Sequence, residues 1–235
     1  MISENLSKVR GDIEKVCKET GRNIDDVTLI AVSKTKPCEM IMEAYNQGVR
    51  DFGENKVQEL LRKKEQLPKD IRWHMIGHLQ TNKVRQLLGN TVLIHSIDSI
   101  KLADTIDTEA KKKNIVVEGL LEINVANEES KYGFSVQELD EVLPVFVRYK
   151  NLHIKGLMTI APNVENPEEN RDVFKKLKKM FIDISRKNYD NIEVRFLSMG
   201  MSGDYVVALE EGANFVRVGT GIFGKRLESV LWLIF

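Results

Sequence analysis

Apolar and polar positions along the chain follow two alternating rhythms. Short, almost continuous apolar runs occur at 27–33 (VTLIAVS), 49–53, 71–77, 91–97, 116–125, 152–160, 192–198 and 215–219. They are rich in Val, Ile and Leu, as strands buried on both faces are. Between them, apolar residues recur every three or four positions, the signature of helices with one buried face. CEMIMEAYNQG closes on Gly48 and GDYVVALEEGAN runs past Gly212, both helix-ending signals. An amphipathic segment at 1–20 precedes the first strand.

Eight strands alternating with helices predict a parallel sheet of α/β class. The chain has 235 residues, close to the ~250 of a typical closed (β/α)8 TIM barrel. We therefore expect a single barrel domain over 1–235 with an extra N-terminal helix. No GxGxxG follows the first strand, which argues against an open dinucleotide-binding sheet.

Charge changes little in this picture. Thirty-five basic residues balance 35 acidic ones, which gives no electrostatic reason to expect nucleic acid or an anionic membrane as partner. Cys17 and Cys38 lack CxxC spacing and no secretory signal precedes them, so a cytoplasmic location with two free thiols is expected. No apolar run approaches the ~18 residues of a membrane span. The apolar tail at 227–235, LESVLWLIF, has no assigned role.

In such a barrel the active site lies where the strands end, so the strand exits carry the candidate chemistry. The first strand exits at Ser33-Lys34-Thr35-Lys36. A free lysine amine has a pKa of ~10.4 and is a poor nucleophile at neutral pH; desolvation or a nearby cation frees it for Schiff-base chemistry. Lys36 and Arg217 are the candidate cations. The alternative is a strand-end lysine reaching water. SMGMSGD and VGTGIFG, at the seventh and eighth exits, place small residues before helices, where backbone N–H groups bind phosphate. Ser202 and Thr220 offer hydroxyls there. The alternative is that these glycines only make tight turns. Arg217 lies two residues before Gly219 on the same strand face. Donating to a pyridine nitrogen would leave that nitrogen unprotonated and the ring a weaker electron sink; the alternative is a buried arginine bridging barrel residues. A lysine opposite a phosphate cradle suits pyridoxal 5′-phosphate (PLP), an aldehyde-bearing phosphate.

The motifs AVSKTKP, FGENKVQE, WHMIGHLQTNK, INVANEESKYGF, GLMTIAP, LSMGMSGD and VRVGTGIFG resemble those of the YggS/PROSC family of PLP homeostasis proteins, over about 27–226. The resemblance implies a fold type III PLP barrel like the alanine racemase N-terminal domain. It implies Lys34 as the Schiff-base lysine, and Ser202, Gly219 and Thr220 at the phosphate. It places Arg217 at the pyridine nitrogen and Asn55 and Met158 beside the cofactor. Lys131 matches a second lysine near the site. The family implies a PLP-binding monomer in intracellular PLP homeostasis without turnover of its own, with apo-PLP enzymes as candidate recipients. The alternative is a PLP-dependent racemase, which needs a second acid/base. The chain is expected to end too soon after strand eight for a second domain to supply one, and Tyr132 is the tyrosine expected near the mouth. A cofactor-free phosphate enzyme is a third reading. His74, His78, His95 and His153 fall on different strands or strand exits and read as core or surface residues, not metal ligands.

Overall fold

The computed structural model describes residues 1–128, 131–187 and 189–224. The expected tail at 227–235 lies outside these described residues. Eight parallel strands close into a barrel in chain order. They are β1 (Thr28–Val32), β2 (Asp51–Glu54), β3 (Arg72–Met75), β4 (Leu93–Ile97), β5 (Val117–Glu122), β6 (Leu152–Met158), β7 (Ile192–Met201) and β8 (Phe215–Val218). Closure comes from β1 pairing with β8, with Ile30 opposite Arg217. All eight expected strands are present.

The helices are α1 (Ile2–Thr20), α2 (Cys38–Asn46), α3 (Val57–Gln66), α4 (Val84–Leu87), α5 (Ile100–Lys113), α6 (Leu139–Phe146), α7 (Arg171–Ser185), α8 (Tyr205–Glu210) and α9 (Thr220–Phe223). Several bounds differ from the sequence expectation; β5, for one, ends at Glu122, three residues before its expected end. The helix expected around TNKVRQLLGN is a 3-10 turn followed by the four residues of α4. β7 runs through Met201, three residues past its expected end, so much of SMGMSGD is strand. Its register against β8 shifts between Ser198 and Met201, and that irregularity lets a small-residue segment continue the ladder.

Two apolar layers hold the barrel. The larger lies between sheet and helices and includes Phe52, Trp73, Leu60 and Phe174. The smaller lies inside the barrel and holds Ile30, Leu93, Leu120, Met158 and Phe215. α1 buries Ile2, Leu6, Val9, Ile13 and Val16 along one face and ends at Gly21, whose φ of 67° is the left-handed cap that glycine adopts without strain. This helix packs on α8 and α9. Its Asn5 amide donates to the Ile222 carbonyl, and Tyr205 donates to Asp12. Arg22, just beyond, donates to the Leu209 and Ala213 carbonyls. The extra helix thus braces the two helices that follow the glycine-rich exits.

Candidate functional site

The exits of β1, β2, β7 and β8 surround a cavity of about 340 Å³. Lys34, Asn55, Ser202, Arg217, Gly219 and Thr220 line it. The structure therefore brings together six of the seven residues singled out in the sequence. Met158 is not among the lining residues. It is fully buried in the interior apolar cluster, one layer down, and Ile160, two residues on, packs against that cluster and reaches the cavity.

Lys34 is exposed to the cavity by a turn that its neighbours build. The Lys36 N–H donates to the Ser33 carbonyl, and Thr35 adopts a left-handed φ of 62°. That conformation is uncommon for a β-branched residue and needs outside support. The Thr35 N–H donates to Glu59 Oε1 at 2.6 Å, and the Ser33 hydroxyl donates to Glu54 Oε1 at 2.6 Å. Lys63 of α3, buried to 2% exposure, joins them by donating at 2.7 Å to Glu54, Glu59 and the Ser33 carbonyl. Burial raises the Glu54 carboxyl above its ordinary pKa, against the opposing hydrogen bonds from Lys63 and Ser33. Lys36 points elsewhere: its amine donates to the Phe223 and Gly224 carbonyls at the end of α9. Of the two cations expected near Lys34, Lys36 is spent on that helix end, and Arg217 shares the cavity.

Arg217 is 4% exposed. Its guanidinium donates to Ser198 Oγ at 2.5 Å and to the Thr159 carbonyl at 2.8 Å. It thus both bridges barrel residues and faces the cavity. Burial lowers its pKa to about 10, so it stays charged at neutral pH. Among the described residues no carboxylate lies within ion-pair distance of it.

The glycine-rich exits are closed by side chains. Ser202 Oγ accepts from the Gly219 and Gly221 N–H groups at 3.1 Å each. These two donors, expected to be free for an anion, are already satisfied, while the Ser202 hydroxyl itself lines the cavity. A Cβ on Gly221 would sit 2.8 Å from Val218 Cγ1, so a larger residue there requires Val218 to shift. Asp204 accepts from the Met201 N–H at 2.7 Å and from Asn170 at 2.8 Å, which fixes the turn after β7.

The far side of the mouth carries a separate group. His78 pairs with Asp98 at 2.6 Å and stacks on Tyr132, ring centroids 3.8 Å apart. Glu122 is pushed up to about 7 by burial, with nearby Asp98 adding to it. The Lys131 amine donates to Glu128 and to the Ile160 carbonyl. None of these side chains lines the cavity. Among the described residues, no three His, Cys, Asp or Glu side chains gather to hold a metal ion. A larger groove of about 520 Å³ lies at the opposite end of the barrel, between residues such as His153, Lys155 and Glu193, without convergent buried donors.

The alanine racemase N-terminal domain family matches residues 5–226. A pyridoxal phosphate homeostasis protein of Aquifex aeolicus is 47% identical over 224 residues, covering 95% of this chain and 97% of that protein. The chain belongs to the pyridoxal phosphate homeostasis protein family. Among solved structures of this fold, PipY of Synechococcus elongatus with PLP bound superposes with a TM-score of 0.82 at 34% identity, over 95% of this chain and all (100%) of that one. Alanine racemase of Corynebacterium glutamicum shares the fold, with a TM-score of 0.72 at 12% identity; the chain spans 61% of that protein. No helix among the described residues is long and apolar enough to cross a membrane.

The sequence reading did not single out Glu54, Glu59, Lys63, Ser198 or Asp204. The i, i+4 spacing of Glu59 and Lys63 was a visible signal of pairing. That the pair turns inward under the Lys34 turn was not visible, because it depends on where α3 docks.

Proposed function

We propose that the chain binds PLP in the mouth cavity through Lys34 and holds it for intracellular PLP homeostasis, without catalytic turnover of its own. The observation that carries this reading is the meeting, in a single cavity, of one accessible lysine and one buried arginine that makes no ion pair among the described residues. Its volume falls in the range of about 300–1,000 Å³ usual for small-molecule sites. When bound, PLP supplies an aldehyde that an amine can capture and a phosphate that hydroxyl and N–H donors can hold.

In this reading Lys34 is the covalent anchor, and Arg217 faces the pyridine nitrogen. The Ser202 and Thr220 hydroxyls receive the phosphate, Gly219, its N–H held by Ser202, lets it approach closely, Asn55 flanks the ring, and Met158 supports the floor from beneath. Lys131 closes the far rim. The PLP-bound relative at 34% identity supports PLP as the ligand. A racemase needs a second acid/base on the opposite face of the ring. Among the described residues no tyrosine lines the cavity: Tyr132 lies on His78, and Tyr45, Tyr149 and Tyr205 donate to Asp70, Asp104 and Asp12. This favours a holder over a racemase.

The test is the absorbance spectrum after PLP addition and desalting, for wild type, Lys34→Ala and Lys36→Ala. Wild type and Lys36→Ala are expected to retain a band at about 420 nm that borohydride abolishes, and Lys34→Ala to lose it. Absence of the band in wild type refutes the reading. We also propose that the protein acts as a cytoplasmic monomer and delivers PLP to apo-enzymes. Delivery requires an apo-enzyme to recover activity faster than free PLP is released; equal rates refute it.

A further inference from the structure

The interior of a (β/α)8 barrel is ordinarily filled by branched apolar side chains. Here five apolar residues share that space with an unbroken polar chain. Arg217 donates to Ser198 Oγ; Ser198 Oγ lies 2.8 Å from His95 Nδ1. His95 Nε2 lies 3.0 Å from His74 Nδ1, and His74 Nε2 lies 3.0 Å from Asp51 Oδ1. Asp51 is held in turn by two bonds from Arg72 at the opposite end of the barrel. Ser198 and His95 are 0% exposed, His74 2% and Asp51 7%. Phe215 packs its ring against both imidazoles, with centroids at 5.7 and 5.3 Å.

The two ends dictate where every proton sits. A guanidinium can only donate, so Ser198 Oγ accepts from Arg217. An ionised carboxylate can only accept, so His74 carries its proton on Nε2. Burial raises the Asp51 carboxyl, but hydrogen bonds from His74 and Arg72 outweigh it and keep the group below its ordinary value, hence ionised. Burial, reinforced by the positive charge of Arg217, depresses His95, hence a neutral ring. With one proton per imidazole, His74 Nδ1 must accept from His95 Nε2–H, and His95 Nδ1 must accept from the Ser198 hydroxyl. Every donor then points from Arg217 toward Asp51. A second proton on His74 would reverse His95 and leave the buried Ser198 hydroxyl hydrogen without an acceptor among the side chains of the relay, which is costly.

We propose that Asp51, His74, His95 and Ser198 form a one-directional hydrogen-bond relay that positions Arg217. The relay fixes the plane of the guanidinium at the cavity floor and ties its otherwise unpaired charge to a carboxylate on the far side of the barrel. The role toward PLP rests on the reading that Arg217 faces the cofactor ring; the proton arrangement does not. Aligned bonds of this kind polarise one another, so the distant carboxylate acts on Arg217 through three neutral groups.

Two measurements test it. Nitrogen-15 NMR of the ligand-free protein should find His74 and His95 neutral, both with the proton on Nε2. A proton on His95 Nδ1 overturns the relay, whether or not PLP binds. PLP retention and the absorbance maximum are then compared for wild type, Ser198→Ala, His95→Phe, His95→Asn and Asp51→Asn, each checked for folding by circular dichroism. Ser198→Ala and His95→Phe should hold PLP about tenfold more weakly, with a displaced maximum. His95→Asn, whose amide oxygen falls near the Nδ1 position, should recover most of the loss. If His95→Phe does not fold, Ser198→Ala and Asp51→Asn decide. Folded variants that match wild type in retention and maximum overturn the proposal. Failure of wild type to take up PLP overturns instead the functional reading, and the NMR result still decides the relay.

Discussion

Replacing Lys63 by methionine probes the support of the Lys34 turn. Methionine keeps most of the side chain's bulk but removes three 2.7 Å charge-assisted bonds. Glu54, 0% exposed and with Oε2 already lacking a partner, loses its cation. Glu59 loses the same cation while still accepting from the Thr35 N–H. Removing one partner of a buried ion pair costs about 3–5 kcal/mol, because an uncompensated charge is left behind. Glu54 can limit that cost by taking up a proton. Burial already raises its folded pKa above the unfolded value, so its contribution to stability is present below the unfolded value and lost as pH rises through the folded one. Without Lys63 the folded value rises further and the loss grows. Urea unfolding followed by circular dichroism should therefore give a deficit of about 3–5 kcal/mol at pH 7, smaller at about pH 5 and larger at about pH 8. PLP capture by Lys34 should slow in parallel, since Ser33 and Thr35 lose their anchors. Adding Glu54→Leu should restore part of the stability. A deficit below about 1 kcal/mol with no pH dependence would refute the reasoning.

Three further outcomes are expected. Glu122, raised to about 7 from an ordinary 4.5, contributes stability that is present below the unfolded value and lost as pH rises through about 7. Glu122→Gln should flatten the pH dependence of unfolding and stabilise the protein at about pH 8 by up to about 3 kcal/mol; an unchanged slope would contradict this. Gly200 has φ of 89° and an added Cβ would lie 2.6 Å from Ala208 Cβ. Gly200→Ala should thus cost about 1–3 kcal/mol, read as a lowered melting temperature. Lys36→Ala removes two bonds to the end of α9 and should cost about 1 kcal/mol in urea unfolding, with the PLP absorbance band intact.

The strand runs and helix periodicities of the sequence carried the architecture. All eight strands lie where the apolar runs put them, because burial on both faces leaves a continuous apolar signature in the chain itself. The strand exits followed, and with them Lys34, Asn55, Ser202, Arg217, Gly219 and Thr220, since a barrel gathers the ends of its strands at one mouth. Local pattern misplaced what depends on neighbours. β7 extends three residues further because β8 accepts a register shift, and α4 is a single turn.

Direction and partnership were decided by the tertiary structure. Lys34 and Lys36 are two residues apart and chemically alike, yet one lines the cavity and the other caps α9. Met158 sits on a strand aimed at the mouth but is buried in the interior apolar cluster and does not line the cavity. The Ser33–Glu54–Lys63 support and the chain from Arg217 to Asp51 join residues far apart in sequence. Each is set by barrel closure and helix docking. A sequence pattern encodes which residues are buried through local periodicity, but which buried polar group meets which is fixed only when the strands close.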